Sequence, residues 1–208
     1  LARGCFAADT ACPADDALGA DDSGARWWPL LAKLAATLTL ATLALAGNYY
    51  NLSLFFGVDL LFGSVAALLA LVWLGPLPAL TVAMVGGAYT WLLWDHPYAL
   101  VIFTLEIAAV AWHRWHNRAK GRPTPPLAVS VALYWVILGI PLVGLFYLSL
   151  LGMSWTPAVL IALKQSLNGL LNAALAGLLL TLIAIVRQRA RTLRMADLLF
   201  TLLLISIT

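Results

Sequence analysis

The chain has 208 residues, 63% of them hydrophobic and only 10% charged, with a net charge of +3. A soluble domain carries about 25% charged residues, so this composition excludes one, and the clustering of its few basic residues excludes a nucleic-acid-binding surface. It is the composition of an all-α, polytopic transmembrane helix bundle.

Residues 1–26 are rich in Ala, Asp and Gly, with carboxylates paired at Asp15 and Asp16 and at Asp21 and Asp22. They read as a disordered polar tail; a calcium loop would need a tighter alternation of carboxylates and a closing Glu. Cys5 and Cys12 lie in this tail, as free thiols if it is cytoplasmic or as a small disulfide loop if it is exported. The tail lacks the order of a signal peptide, and a start at Leu1 rather than Met points to an upstream beginning or to trimming.

Residues 27–208 read as one transmembrane helical domain. The first span is expected over 27–47, with Trp27 and Trp28 as interfacial anchors and Lys33 snorkelling. After the uncharged aromatic loop of Asn48, Tyr49, Tyr50 and Asn51, a second span is expected over 57–74, with Asp59 near its outer end. Gly75, Pro76, Leu77 and Pro78 read as a tight hairpin before a third span over 79–94, which carries the pair Gly86 and Gly87, small residues suited to close helix contact. The turn Asp95-His96-Pro97-Tyr98 leads to a fourth span over 97–112 with Glu106 at its middle. A basic stop follows (Arg114, Arg118, Lys120, Arg122), then a Pro-rich linker. The fifth span, 127–151, is expected to kink at Gly139 and Pro141, the sixth covers 156–186, and the run 195–208 is an incomplete seventh, too short for a ~30 Å hydrocarbon core.

Lys and Arg are absent from 34–113, and Lys164 is the only one in 123–186. The basic loops after the fourth and sixth spans are therefore placed inside, with the N-terminus cytoplasmic. Localisation follows as a multi-pass membrane protein with these loops on the cytoplasmic side.

The stretch on which a function would rest is the sixth span. Lys164, Asn168 and Asn172 recur every four residues on one face, with Gln165 beside Lys164. Such groups cannot face hydrocarbon without a cost of a few kcal/mol each, so they face protein, water or a ligand. Glu106 and Lys164 lie at matched depth, ~12–15 Å from the outer surface by helical rise, and an ion pair between them is expected, either as a register lock or as part of a ligand site. Asp59, Tyr89, Trp94, His96, Glu106, Lys164, Gln165, Asn168 and Asn172 are the candidate ligand-binding residues, forming a pocket open to the outer side; the interfacial aromatic belt is the competing account of the Trp and Tyr residues. His96 lies outside while His113 and His116 lie inside, so no two-His ligand set spans the membrane, and no haem or metal site is expected. No Ser/His/Asp order, glycine-rich phosphate loop or CxxC appears, and the carboxylates available in the spans are too far apart for paired acid–base work. No catalytic residue, metal or cofactor is expected, and the protein is read as a non-enzyme.

Three stretches carry a resemblance: Phe55-Phe-Gly-Val-Asp-Leu-Leu-Phe-Gly-Ser64, Tyr89-Thr-Trp-Leu-Leu-Trp-Asp-His-Pro-Tyr98 and Leu163-Lys-Gln-Ser-Leu-Asn-Gly-Leu-Leu-Asn172. Together they resemble the N-terminal membrane input region of bacterial signalling proteins that carry PAS, GGDEF, EAL or histidine-kinase output modules. A looser likeness, in Leu74-Gly-Pro76 and the polar sixth span, is to LytS-type sensors and to the substrate-binding subunits of ECF vitamin transporters. The first resemblance implies a sensory input domain that binds a small or amphiphilic ligand and passes helix motion to a cytoplasmic signalling module, in the same chain or on a partner protein. The alternatives are a small-molecule transporter or its substrate-binding subunit, and a structural accessory subunit of a larger membrane complex. The implied partners are membrane lipids, a small ligand and a second copy in a homodimer; nucleic acid is not among them.

Overall fold

A computed structural model of the protein describes residues 23–53 and 59–186. The expectations for most of the tail, both cysteines, the basic run 187–194 and the seventh apolar run lie outside these residues.

Six helices account for nearly all of the described chain: α1 (Ser23–Tyr49), α2 (Gly63–Trp73), α3 (Pro76–Trp94), α4 (Tyr98–Ala119), α5 (Leu127–Leu150) and α6 (Trp155–Val186). The short α2 sits at the centre and packs on α1, α3, α4 and α6, while α3, α4, α5 and α6 follow one another around it. Its sequence suits the place. Gly63, Ala66, Ala67, Leu68, Leu69 and Ala70 are buried, and the small residues let neighbouring backbones approach. The same logic governs Gly86 and Gly87 of α3, where a Cβ would lie 2.9 Å from the Ala44 Cβ and 2.8 Å from the Leu100 Cδ1 respectively.

Polarity is distributed inside out. Large apolar side chains face outward on every long helix, including Leu34, Leu92, Val136 and Leu160, while Glu106, Gln165, Asn168 and Asn172 are buried. Water outside would penalise the first set and favour exposing the second, so the surroundings of this bundle are lipid. Among the described residues, four segments are long and apolar enough to cross a membrane: Pro29–Tyr49, Pro76–Trp94, Leu127–Leu150 and Trp155–Val186. The chain is a multi-pass membrane protein. Within α1, Thr37, Thr39 and Thr42 return their hydroxyls to the carbonyls four residues back, which makes them tolerable in an apolar helix.

Several boundaries differ from expectation. The second span does not run as a helix over 57–74. Its helix starts at Gly63, and Asp59 belongs to a two-residue strand that pairs antiparallel with Leu52–Ser53, Ser53 opposite Asp59 and Leu52 opposite Leu60. At eleven residues α2 rises ~16 Å, about half the hydrocarbon core. Pro76 and Pro78 do not form a hairpin loop; they occupy the first turn of α3, where a missing N–H costs nothing, and Gly75 makes the turn alone with φ 99°. The fourth helix continues past Trp112 to Ala119. The expected kink in α5 is instead two widened, π-helical turns, Trp135–Gly139 and Gly144–Leu150, on either side of Ile140–Val143. Ile140 N–H reaches the carbonyl of Trp135 five residues back, and the wider turns accommodate Pro141 without a break.

The start of α2 has no side-chain cap of its own. Asn48 of α1 supplies one across the bundle: its Oδ1 accepts from Gly63 N–H at 2.7 Å, and its Nδ2 donates to the Gly86 carbonyl at 2.8 Å. One buried carboxamide therefore ties α1, α2 and α3 together. Asn48→Leu strands one backbone donor and one acceptor and is expected to destabilise the protein by about 1–3 kcal/mol. Thermal unfolding in detergent reads this directly; a midpoint equal to wild type would show that the bridge contributes nothing.

Candidate functional site

The polar row of α6 divides into two parts with different employment. Asn168 Oδ1 accepts from the Leu61 N–H at 3.0 Å, and Asn172 Nδ2 donates to the Leu61 carbonyl at 2.7 Å. Leu61 is the link between the short strand and α2, non-helical backbone inside an apolar bundle, and its two polar groups need partners there. The four-residue spacing matches the two ends of one residue's backbone. Asn168 and Asn172 thus grip the chain itself.

Lys164 and Gln165, one turn nearer the start of α6, border a cavity of about 220 Å³ with Trp94, His96, Tyr147, Met153 and Ile161. The left-handed Asp95 (φ 56°) ends α3 by donating its N–H to the Trp91 carbonyl, which turns the chain sharply and delivers His96. The His96 ring stacks on Tyr98 at 5.1 Å and meets Tyr147 edge-on at 5.3 Å. Tyr98 in turn stacks on Phe146 at 4.8 Å. Lys164 Nζ stands 5.4 Å from the centre of the Trp94 ring, within the range of a cation–π contact. Gln165 Nε2 reaches the Tyr147 hydroxyl at 3.4 Å. Two polar atoms of the lining residues, His96 Nδ1 and Gln165 Oε1, are buried with no hydrogen-bond partner. Native proteins leave few such groups unpaired.

Glu106 is elsewhere. It is fully buried, and its Oε2 accepts from Trp135 Nε1 at 2.8 Å. The expected Glu106–Lys164 ion pair does not form; the carboxylate whose field reaches Lys164 is that of Asp59. Equal depth was a poor guide: Glu106 Oε2 lies against Gly169, more than a turn further along α6 than Lys164. The Trp135 ring is accommodated by two glycines: a Cβ on Gly139 would strike the indole, and one on Gly169 would strike the indole Nε1 and lie 2.6 Å from Glu106 Oε2. The neighbouring Tyr134 hydroxyl donates to the Ile102 carbonyl at 2.7 Å.

Of the nine residues expected at a site, Trp94, His96, Lys164 and Gln165 line one cavity, and Asp59 acts on it through Lys164. Tyr89 points away and packs on Tyr49 at 5.8 Å; Glu106, Asn168 and Asn172 bond within the protein. Sequence reasoning missed Tyr147 and Met153. Tyr147 carried a signal, being a phenol in an apolar span just beyond Pro141, but the widened turns that swing it inward are not evident from spacing. It also missed the bridging role of Asn48.

No known family profile and no curated protein matches this sequence. Among solved structures the fold is similar to the S component of a bacterial ECF transporter, at a TM-score of 0.53 and 20% identity, over 78% of this chain and 97% of that one. At that identity the likeness is one of fold.

Replacing Asn168 with Ala removes the side-chain acceptor of the Leu61 N–H and is expected to speed amide exchange over residues 59–62 by about tenfold. Peptide-level hydrogen exchange in detergent micelles measures it, and unchanged protection would show that the grip is not what holds this segment.

Proposed function

We propose that the chain is the substrate-binding membrane subunit of a small-molecule transporter, taking its substrate in the cavity between Trp94, Tyr147 and Lys164. The observation that carries this reading is convergence. The Lys164 ammonium, His96 Nδ1 and Gln165 Oε1 come from two separate elements to one cavity, and the last two have no protein partner. Aromatic walls with a few converging polar groups are the usual chemistry of a ligand pocket. At about 220 Å³ the space equals the share of roughly seven waters in the liquid. It fits a molecule built on a single ring, with an anionic or hydrogen-bonding group turned to Lys164 and Gln165. The fold likeness to a transporter S component supports the same reading; as its name states, such a component is one part of an assembly, and this chain would act with further membrane subunits.

In this reading all six helices lie in the bilayer of a bacterial cytoplasmic membrane. The strand pair and α2 together fill the depth that α2 alone does not span. The basic turn 114–122 lies on the cytoplasmic side and the cavity opens on the other. The accessory-subunit alternative accounts for Asn168 and Asn172, which bond to Leu61, but gives no reason for Lys164, His96 and Gln165 to meet at one cavity. A sensor would use the same cavity, and differs only in not releasing the ligand to the other side.

Purified from its native membrane in mild detergent, the protein is expected to release a bound small molecule visible by mass spectrometry. Lys164→Met should weaken retention of that molecule about tenfold to a hundredfold, the range for a lost hydrogen bond to a charged group, without altering elution volume. Pull-down from the same membranes should recover further transporter components. A wild-type protein that is empty and solitary would overturn the proposal, and a ligand bound but never taken up by vesicles would assign the cavity to a sensor.

A further inference from the structure

A second cavity lies at the opposite, basic end of the bundle and plays no part in the reading above. It has a volume of about 180 Å³, between the last turn of α2, the Pro-rich linker, the start of α5 and the final third of α6. Its polar lining comes from Arg114, Thr124 and Thr181, and its apolar lining includes Val72, Leu127 and Leu180. Arg114 is held in place there. Its Nη1 donates to the Pro125 carbonyl at 3.2 Å, and the turn beneath it is ordered by Arg122 N–H to the Asn117 carbonyl at 2.9 Å and by Asn117 Nδ2 to the His113 carbonyl at 2.9 Å. The side chains of Arg118, Lys120 and Arg122 stand exposed on the same turn, so the approach to this cavity is cationic among the described residues.

The cavity shares Val72 with an apolar groove that runs on between the end of α2 and α6, lined by Val72, Trp73, Leu182, Ile183 and Val186. This groove follows from the shortness of α2, which stops after eleven residues beside a helix of 32. A cationic, hydroxyl-bearing notch continuous with an apolar trough is complementary to an amphiphile with a negative head. Basic pockets between transmembrane helices on the cytoplasmic side bind anionic headgroups, and the planar guanidinium suits phosphate oxygens in particular.

We infer that this end of the molecule is a binding site for one anionic phospholipid, its phosphate held by Arg114 with Thr124 and Thr181 and an acyl chain laid in the groove between α2 and α6. A lipid seated there braces the end of the central helix against α6. The site is independent of the transport proposal and holds equally for a sensor.

Native mass spectrometry of the full chain, with phosphatidylglycerol and phosphatidylcholine offered in equal amounts, tests the inference. One tightly retained phosphatidylglycerol is expected, preferred about fivefold or more over phosphatidylcholine, the factor that corresponds to one basic residue's attraction at a membrane surface. Arg114→Gln should abolish that preference, whereas Arg118→Gln, on the exposed turn outside the cavity, should keep it. Should Arg114→Gln fail to fold, Thr181→Leu fills the notch from α6 without touching the Arg114–Pro125 bond, and is expected to displace the lipid. Equal retention of the two lipids would overturn the site, as would a preference lost alike in Arg114→Gln and Arg118→Gln. Displacement of the lipid by millimolar inorganic phosphate would assign the notch to a soluble phosphate and overturn the lipid assignment.

Discussion

The structure depends on how a stretch of non-helical backbone is made tolerable inside a lipid-facing bundle. Residues 59–63 leave the strand pair and enter α2 among apolar helices, where each unpaired N–H or C=O costs several kcal/mol. Three asparagines meet that demand. Asn168 and Asn172 take both backbone groups of Leu61, and Asn48 takes the N–H of Gly63. Because the partners come from α1 and α6, satisfying this short segment also brings together helices far apart in sequence. Everything beyond the strand pair is placed by these bonds: the start of α2, hence its central position, hence the spacing of the helices around it.

The second organising contact is the plane of Trp135. Its indole lies between Gly139 and Gly169 and donates to Glu106, linking α4, α5 and α6. The widened turns of α5 serve this arrangement and also turn Tyr147 toward His96 and Gln165. The Glu106 carboxyl is not among the groups that line the cavity of Lys164 and Gln165. A buried polar network specifies one packing only when its members find partners; Glu106 and Asn172 each use one oxygen or nitrogen in a bond and leave Glu106 Oε1 and Asn172 Oδ1 unmatched, as His96 Nδ1 and Gln165 Oε1 are at the cavity.

The two ends of the bundle consequently differ in chemistry. One end offers aromatic walls, a lysine and two unpaired polar atoms; the other offers a fixed arginine, hydroxyls and an apolar trough. Fold likeness to a transporter component is compatible with many ligands, since function resides in the site rather than in the architecture. The outer end carries the transport proposal and the basic end the lipid site.

Composition and apolar periodicity were enough to establish an all-helical membrane protein, because lipid imposes long apolar runs whatever the fold. The polar residues that matter were also legible, since Lys, Gln, Asn and Glu inside apolar spans are costly unless used. Their division of labour was not. Asn168, Asn172 and Lys164 share one helical face in the sequence, yet two bind Leu61 and one faces a cavity, because only the packed loop decides which groups already have partners. Glu106 and Lys164 were expected at one depth, yet Glu106 lies against Gly169, more than a turn along α6 from Lys164, a packing register that linear spacing does not carry. The late start of α2, the π-helical turns around Pro141 and the inward turn of Tyr147 likewise arise from tertiary packing, which sets the backbone register once Trp135 is seated between two glycines.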